Sequence, residues 1–387
     1  MNIAFFLDAK LIKKGKEYYT TGAITEEYLQ QHKLTKDDKL TVICREQKDV
    51  IGSKKSIASG ERISFKIFNS YKEILRNRRE IKQIIIENDF IEIKLPTMTG
   101  LLAMHYVLKC KKNHMVEMVG CPLDAYWNYG SNTGKLIAPI IFLFNRYYIK
   151  KAQNIIYVTN RFLQKRYPNK HNSISCSDVN LKLVESKVLE QRLDKIEHRN
   201  EKDKLVIGLI GSLDVKYKGH KTAIKMAAEL KRKYPIELHF LGSGDKEKWK
   251  KAIQRYNMKE NVIFDGILPS GEPVYRWMDN LDLYIMPSLT EGLPRSMLEA
   301  MSRGCPVIGS NVGGIPELIS KECIFSKRNY KKMAKLIDEL VSNKTEMKKQ
   351  AINNFNKAKL YDRGSLLQKR EAFYQKILLK KERSEND

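Results

Sequence analysis

Residues 283–319 read LYIMPSLTEGLPRSMLEAMSRGCPVIGSNVGGIPELI, and this run constrains the fold more than any other. Leu283–Met286 has the apolar continuity of a buried strand, ended by Pro287. Pro294 suits a first helical position, where its missing N–H has no partner to lose. Met297, Leu298 and Met301 then supply an apolar stripe, and Ala300 eases close packing. Gly304 is a natural helix stop before the next strand, Cys305–Ile308. Glu291 precedes the helix and Glu299 lies within it. At ~1.5 Å per residue, Glu299 is about 7–8 Å along the axis from Pro294. A helix start with free N–H groups suits a phosphate, and a carboxylate further along suits hydroxyl groups at the ligand's other end. Taken alone, the two glutamates also read as a helix N-terminal charge and a solvated residue.

Strand and helix patterns alternate along the rest of the chain. Strands are expected at 2–7, 40–45, 84–87, 114–119, 155–158, 205–210, 237–241 and 262–264. Helices are expected at 23–31, 101–109, 135–153, 161–166, 221–231, 246–256, 333–341, 346–358 and 366–379. Such alternation argues for α/β architecture with parallel sheets. Residues 178–203 are charged and carry the amphipathic stretch 188–196, which marks an inter-domain connection. At 387 residues the chain accommodates two domains of ordinary size.

The formal charge is +26. Residues 1–180 hold 30 Lys/Arg against 17 Asp/Glu, a net +13, so the charge belongs to both halves and not to a tail. That balance admits nucleic acid, an anionic membrane or phosphorylated substrates as partners. No zinc-finger or RRM signature accompanies it, so nucleic acid is not expected. The six cysteines show no C-x-x-C pair and read as reduced, mostly buried thiols of a cytoplasmic protein. The opening MNIAFFLDAK reads as a strand and not as a signal peptide. The longest apolar run, 136–144, is shorter than the about 20 residues a spanning helix needs. No histidine spacing suggests a metal, and no metal or other cofactor is expected.

The loop Gly208-Leu-Ile-Gly211-Ser212-Leu-Asp214-Val-Lys216-Tyr-Lys218-Gly219 lies between a strand and a helix. Its glycines let backbone approach a phosphate, and its lysines can neutralise a diphosphate. A solvated basic loop is the plainer alternative. Gly242-Ser-Gly244-Asp245 after a strand is compatible with nucleotide contact and equally with an ordinary turn. Tyr126, Trp127, Tyr129, the run 136–144, Arg146, Lys150 and Lys151 mix aromatic, apolar and basic residues. The mixture suits a peripheral, anionic membrane surface. Its ordinary alternative is a core-facing helix with a basic outer face.

The stretch EGLPRSMLE (291–299) with AMSRGCPVIGSNVGGIPELI (300–319) closely resembles the E-x7-E signature of retaining, nucleotide-sugar-dependent glycosyltransferases of family 4. Upstream, 206–227, 238–245 and 261–288 resemble the family in the same order. The likeness is specific over the second half of the chain and general over the first. It implies two doubly wound Rossmann-like domains facing across a cleft, the GT-B fold. The implied domains are an acceptor-binding 1–185, a donor-binding 186–365, and a C-terminal helix, 366–387, crossing back to the first.

The resemblance further implies a nucleotide-sugar donor, UDP-linked foremost, and a glycan or lipid-linked saccharide acceptor in cell-surface polysaccharide assembly. The setting would be the cytoplasm, including the inner face of the plasma membrane. The implied donor site comprises Gly211, Ser212, Lys216, Lys218, Gly242, Gly266, Ile267, Glu291, Gly292, Leu293, Pro294, Arg295 and Glu299. Glu291 would face the sugar, Glu299 the ribose, and Lys218 the leaving diphosphate. Ser212 departs from the family, which carries arginine there; Lys216 or Arg295 would have to supply that cation. Asp124 is the candidate for contacting or deprotonating the acceptor, with a turn aspartate as its alternative, and Tyr126 accompanies it. Residues 8–22 match the acceptor loop, bringing in Lys14, Gly15 and Gly22. A non-catalytic nucleotide- or glycan-binding partner subunit of the same fold is the rival reading.

Overall fold

The computed structural model describes residues 1–15, 17–20, 24, 26–47, 56–57, 60–129, 131–179, 181, 185–200 and 202–386. The chain forms two compact units. Residues 1–120, 140–176 and 367–387 make the first, and 121–139 with 177–366 make the second. Segments 121–139 and 177–185 thus fall with the second unit, although the expected boundary at 185 put them in the first.

In the first unit the strands are β1 (Asn2–Lys14), β2 (Glu17–Thr20), β3 (Lys39–Glu46), β4 (Ser56–Ile57), β5 (Ile63–Phe68), β6 (Phe90–Leu95), β7 (His114–Met118), β8 (Asn154–Tyr157) and β9 (Asn172–Ser175). Seven run parallel in the order β5-β3-β1-β6-β7-β8-β9. Their central members are buried on both faces, as in a sheet covered on both sides. Ile3, Ala4, Phe5, Ile91, Ile93, Val116 and Ile155 are all buried.

Two expectations fail in this unit. Ile84–Glu87 is no strand but the end of the helix Arg78–Glu87. Its run of isoleucines looks strand-like, yet Ile81 and Ile85 are the buried pair, four apart on one helical face. The expected acceptor loop at 8–22 is largely strand. β1 continues through a bulge between Phe6 and Lys10 to Lys14, then pairs antiparallel with β2.

The second unit carries β10 (Leu205–Ile210), β11 (Ile236–Leu241), β12 (Val262–Gly266), β13 (Leu283–Met286), β14 (Val307–Ser310) and β15 (Ile324–Phe325). All pairings are parallel in the order β12-β11-β10-β13-β14-β15. Strand order therefore reverses between β10 and β13, the switch point at which open α/β sheets bind ligands, beyond the carboxyl ends of the strands. Both units are Rossmann-like, as expected.

The expected connection at 178–203 contains the helix Ser186–His198. The last helix, Arg363–Asn386, begins in the second unit and joins the first from residue 367. Arg363 N–H bonds the Leu181 carbonyl at 2.9 Å, and Arg370 Nη2 bonds Glu117 Oε1 at 2.7 Å. All six cysteines are free thiols, five of them buried.

Candidate active site

Two loops meet at the switch point of the second unit. After β10, residues 211–219 turn through a short 3-10 segment, Lys216–Lys218, into the helix His220–Leu230. After β13, Pro287–Pro294 leads into the helix Arg295–Ser302. Gly219 lets them touch. Its φ is +84°, and a Cβ there would lie 2.1 Å from the Pro287 carbonyl oxygen. Leu289 N–H then bonds the Tyr217 carbonyl at 2.7 Å.

This approach brings Lys218 to Glu291, Nζ to Oε1 at 2.8 Å. The same oxygen accepts a hydrogen bond from Ser288 Oγ at 2.7 Å. Ser310 Oγ, at the end of β14, bonds the Ser288 carbonyl at 2.6 Å and fixes that turn. On the other side Gly313, at φ +56°, packs against the backbone of Glu291, where a Cβ would come within 2.0 Å of the Glu291 carbonyl oxygen. Gly314 N–H bonds the Gly292 carbonyl at 2.7 Å. The Lys218 and Glu291 side chains keep 21% and 10% exposure, so the pair is sheltered yet reachable.

The helix Arg295–Ser302 makes its first backbone bond from Leu298 N–H to the Pro294 carbonyl, at 3.3 Å. The N–H groups of Arg295, Ser296 and Met297 precede it and are available to an anion. Arg295 is exposed, whereas Glu299, one turn later, is half-buried. Burial raises the Glu299 carboxyl above its ordinary range, against the opposing pull of Arg295. Burial likewise raises the neighbouring Tyr275 phenol, with Glu299 adding to it. Tyr284 Oη donates to Ser296 Oγ at 2.8 Å and accepts from Ile210 N–H at 3.4 Å, bracing this helix against β10.

The loops after β11 and β12 continue the rim. Leu213 N–H bonds the Ser243 carbonyl at 2.7 Å, and Gly242 N–H bonds the Gly266 carbonyl at 2.7 Å. A Cβ on Gly242 would come within 2.2 Å of the Gly211 carbonyl oxygen. Gly211, Ser212, Gly242, Gly266, Lys218, Gly292, Leu293 and Pro294 therefore all belong to one end of this sheet. Ser212 is half-buried, and Lys216 and Ile267 are exposed.

Asp124 and Tyr126 belong to the helix Pro122–Asn128, which docks on the same loops. Asn128 Nδ2 bonds the Asp124 carbonyl at 2.8 Å and reaches the Leu289 carbonyl at 3.4 Å. Lys14 and Gly15 lie in the first unit, at the turn from β1 to β2, with Gly15 at φ +60°. Gly22 lies outside the described residues. Ser288, Ser310 and Asn128 escaped the sequence reading. Only Ser288 carried a signal, its three-residue spacing to Glu291 directly after a strand.

A family model described as glycosyl transferases group 1 matches residues 190–358. Protein CapJ of Staphylococcus aureus is 32% identical over 362 residues, 92% of this chain and 90% of that one. A putative colanic acid biosynthesis glycosyltransferase of Escherichia coli, WcaL, is 33% identical over 113 residues, 27% of this chain and 28% of its own. Among solved structures, Anabaena HepE in complex with UDP-glucose superposes with a TM-score of 0.67 at 16% identity, covering 97% of this chain and 100% of that one.

Proposed function

The chain belongs to the group 1 glycosyl transferases, and from that premise we propose that it moves a hexose-type sugar from a nucleoside diphosphate, UDP foremost, to a glycan or lipid-linked saccharide acceptor, with retention of anomeric configuration. The observation that carries this reading is the Lys218–Glu291 pair at the β10/β13 switch point, beside an open helix start. In transfer, the bond from anomeric carbon to diphosphate oxygen breaks and an acceptor hydroxyl oxygen replaces it. Negative charge grows on the diphosphate. Lys218 and the N–H groups of 295–297 meet it with cations and dipoles already in place. Glu291, steadied by Ser288, accepts hydrogen bonds from sugar hydroxyls. Glu299, one helical turn past Arg295, accepts those of the ribose. Asp124, on the helix tied to the Leu289 carbonyl, takes the acceptor proton. Polysaccharide assembly as the setting is supported by the printed role of WcaL, and UDP by the HepE complex.

The departure at Ser212 favours a second reading, a subunit that binds the donor without turning it over. One series of measurements separates them. Purified protein is screened for thermal stabilisation by uridine, guanosine and adenosine diphosphate sugars, since a ligand of the native state stabilises by mass action. Release of nucleotide from the stabilising donor is then followed. Lys218→Ala and Glu299→Ala should each lower turnover about 100-fold or more, with the circular dichroism of the apo protein unchanged. Unchanged turnover in both variants would overturn the site. Stabilisation without any turnover, with or without added acceptors, would favour the binding subunit.

A further inference from the structure

The helix Asn132–Lys151 is apolar on two faces. Ala138, Ile141, Asn145 and Ile149 are buried, spaced three and four apart as one helical face. That face alone satisfies packing. On the other side Leu136, Ile140, Leu143, Phe144 and Tyr147 follow the same spacing and stand 77, 53, 63, 52 and 52% exposed. Isolated exposed leucines are commonplace, but a continuous stripe of large side chains marks an interaction surface. The expectation of a basic outer face is overturned in part: the cations flank the stripe and do not replace it.

Charge selects what covers it. No acidic residue occurs from 125 to 177, whereas that stretch holds eight Lys/Arg. Arg146, Lys150 and Lys151 are exposed on the helix itself. Arg146 Nη1 reaches the Arg166 carbonyl at 3.4 Å, which brings up the helix Phe162–Arg166 with its exposed Lys165. Lys151 Nζ bonds Tyr147 Oη at 2.7 Å, joining stripe and charge. A second copy would bring the same cations to an isologous contact and be repelled. An anionic bilayer offers acyl chains to the stripe and phosphates to its flanks.

We infer that this helix docks flat on anionic phospholipid membranes. It lies in the interface and does not cross it. Four of its twenty residues are basic, and among the described residues no helix is long and apolar enough to span. Trp127 and Tyr129, just before it in the chain, are 52 and 66% exposed, the residue types favoured at headgroup level. A Cβ on Gly134 would lie 3.0 Å from the Tyr126 carbonyl oxygen, so this aromatic segment abuts the helix's first turn. Docking rests on surface chemistry alone and stands independently of the transfer reaction.

Flotation with vesicles, in the absence of any sugar nucleotide, tests it. The full chain should float with phosphatidylcholine vesicles containing phosphatidylglycerol and remain below with phosphatidylcholine alone. Leu143→Ser with Phe144→Ser should lower the bound fraction about tenfold or more. Arg146→Gln with Lys150→Gln and Lys151→Gln should do the same, and added salt should mimic that loss. These side chains are exposed, so circular dichroism and Tm should match the parent. No flotation by the parent, equal binding to both vesicle types, or unaltered binding by both variants would each overturn the inference. So would a parent that gel filtration finds dimeric and the Leu143/Phe144 variant disperses, since a second copy would then own the face.

Discussion

Gly313 shows how closely the backbone is packed around the candidate carboxylate. Its φ of +56° and the 2.0 Å approach to the Glu291 carbonyl leave no space for a methyl group. Gly313→Ala should therefore lose donor-induced thermal stabilisation by displacing the 291–294 backbone, and also cost about 1–3 kcal/mol of stability. Full retention of both would contradict it. His114 poses a different residue-scale test. Nδ1–H donates to the Lys112 carbonyl at 2.9 Å, and Nε2 accepts from Gln153 N–H at 3.3 Å, which fixes a neutral ring. Burial pushes the imidazole down to about 4 from an ordinary 6.5, against the opposing Lys112 bond. The unfolded chain thus binds this proton first as pH falls. Stability is full above about pH 6.5 and falls by about 1.4 kcal/mol per unit toward pH 4. His114→Gln should flatten that part of the slope in denaturant titrations at several pH values; an unchanged slope would refute the assignment. Lys218 and Glu291 were singled out by the family resemblance of their loops, since residue type alone left a solvated basic loop and a helix N-terminal charge as alternatives. Ser310 was not, because only folding brings the end of β14 to the Ser288 carbonyl.

At the scale of elements, one helix holds the ends of others. From Ser186–His198, Arg192 donates Nη2 to the Met278 carbonyl at 2.9 Å and Nε to the Arg303 carbonyl at 3.3 Å, and its Nη1 bonds the Leu281 carbonyl. Lys195 Nζ adds the carbonyls of Asp279, Asn280 and Leu281 at 3.1, 2.6 and 3.0 Å. These are C-terminal carbonyls of the helices Glu272–Asn280 and Arg295–Ser302, or adjoin them, and they attract cations. Arg192→Met leaves buried acceptors unmet and should lower unfolding free energy by about 3 kcal/mol in chemical denaturation. A loss below measurement error would remove the capping role. The sequence marked 188–196 as an amphipathic stretch in a connection, but nothing in it revealed a helix whose buried arginine closes two others. The isoleucine run at 84–87 misled for the complementary reason. Three consecutive isoleucines, 84–86, fit a short strand or a helix face equally, and packing against the rest of the unit decides.

Across the whole molecule, the chain's end secures its beginning. Arg370 is 3% exposed and Glu117 2%, and Lys94 Nζ lies 3.2 Å from the other oxygen of Glu117. Burial alone would raise the Glu117 carboxyl, yet Lys94 and Arg370, with His32, hold it well below the usual carboxylate range. Arg370→Met strands a buried carboxylate and should cost about 3–5 kcal/mol. Adding Glu117→Gln should recover part of that loss, and strict additivity of the two changes would deny their coupling.

What the residues determined unaided was local. Strand and helix patterns announced parallel α/β architecture, and the run 283–319 announced a strand, a helix start and two carboxylates in fixed order. Those features follow from periodicity, proline and glycine, which act within a few residues. The tertiary structure alone decided which loops meet. Lys218 and Glu291 are 73 positions apart and pair because strand order reverses between β10 and β13. It also decided which face of Asn132–Lys151 stays in water. Burial is settled by the neighbours a fold supplies, and no short-range pattern encodes them.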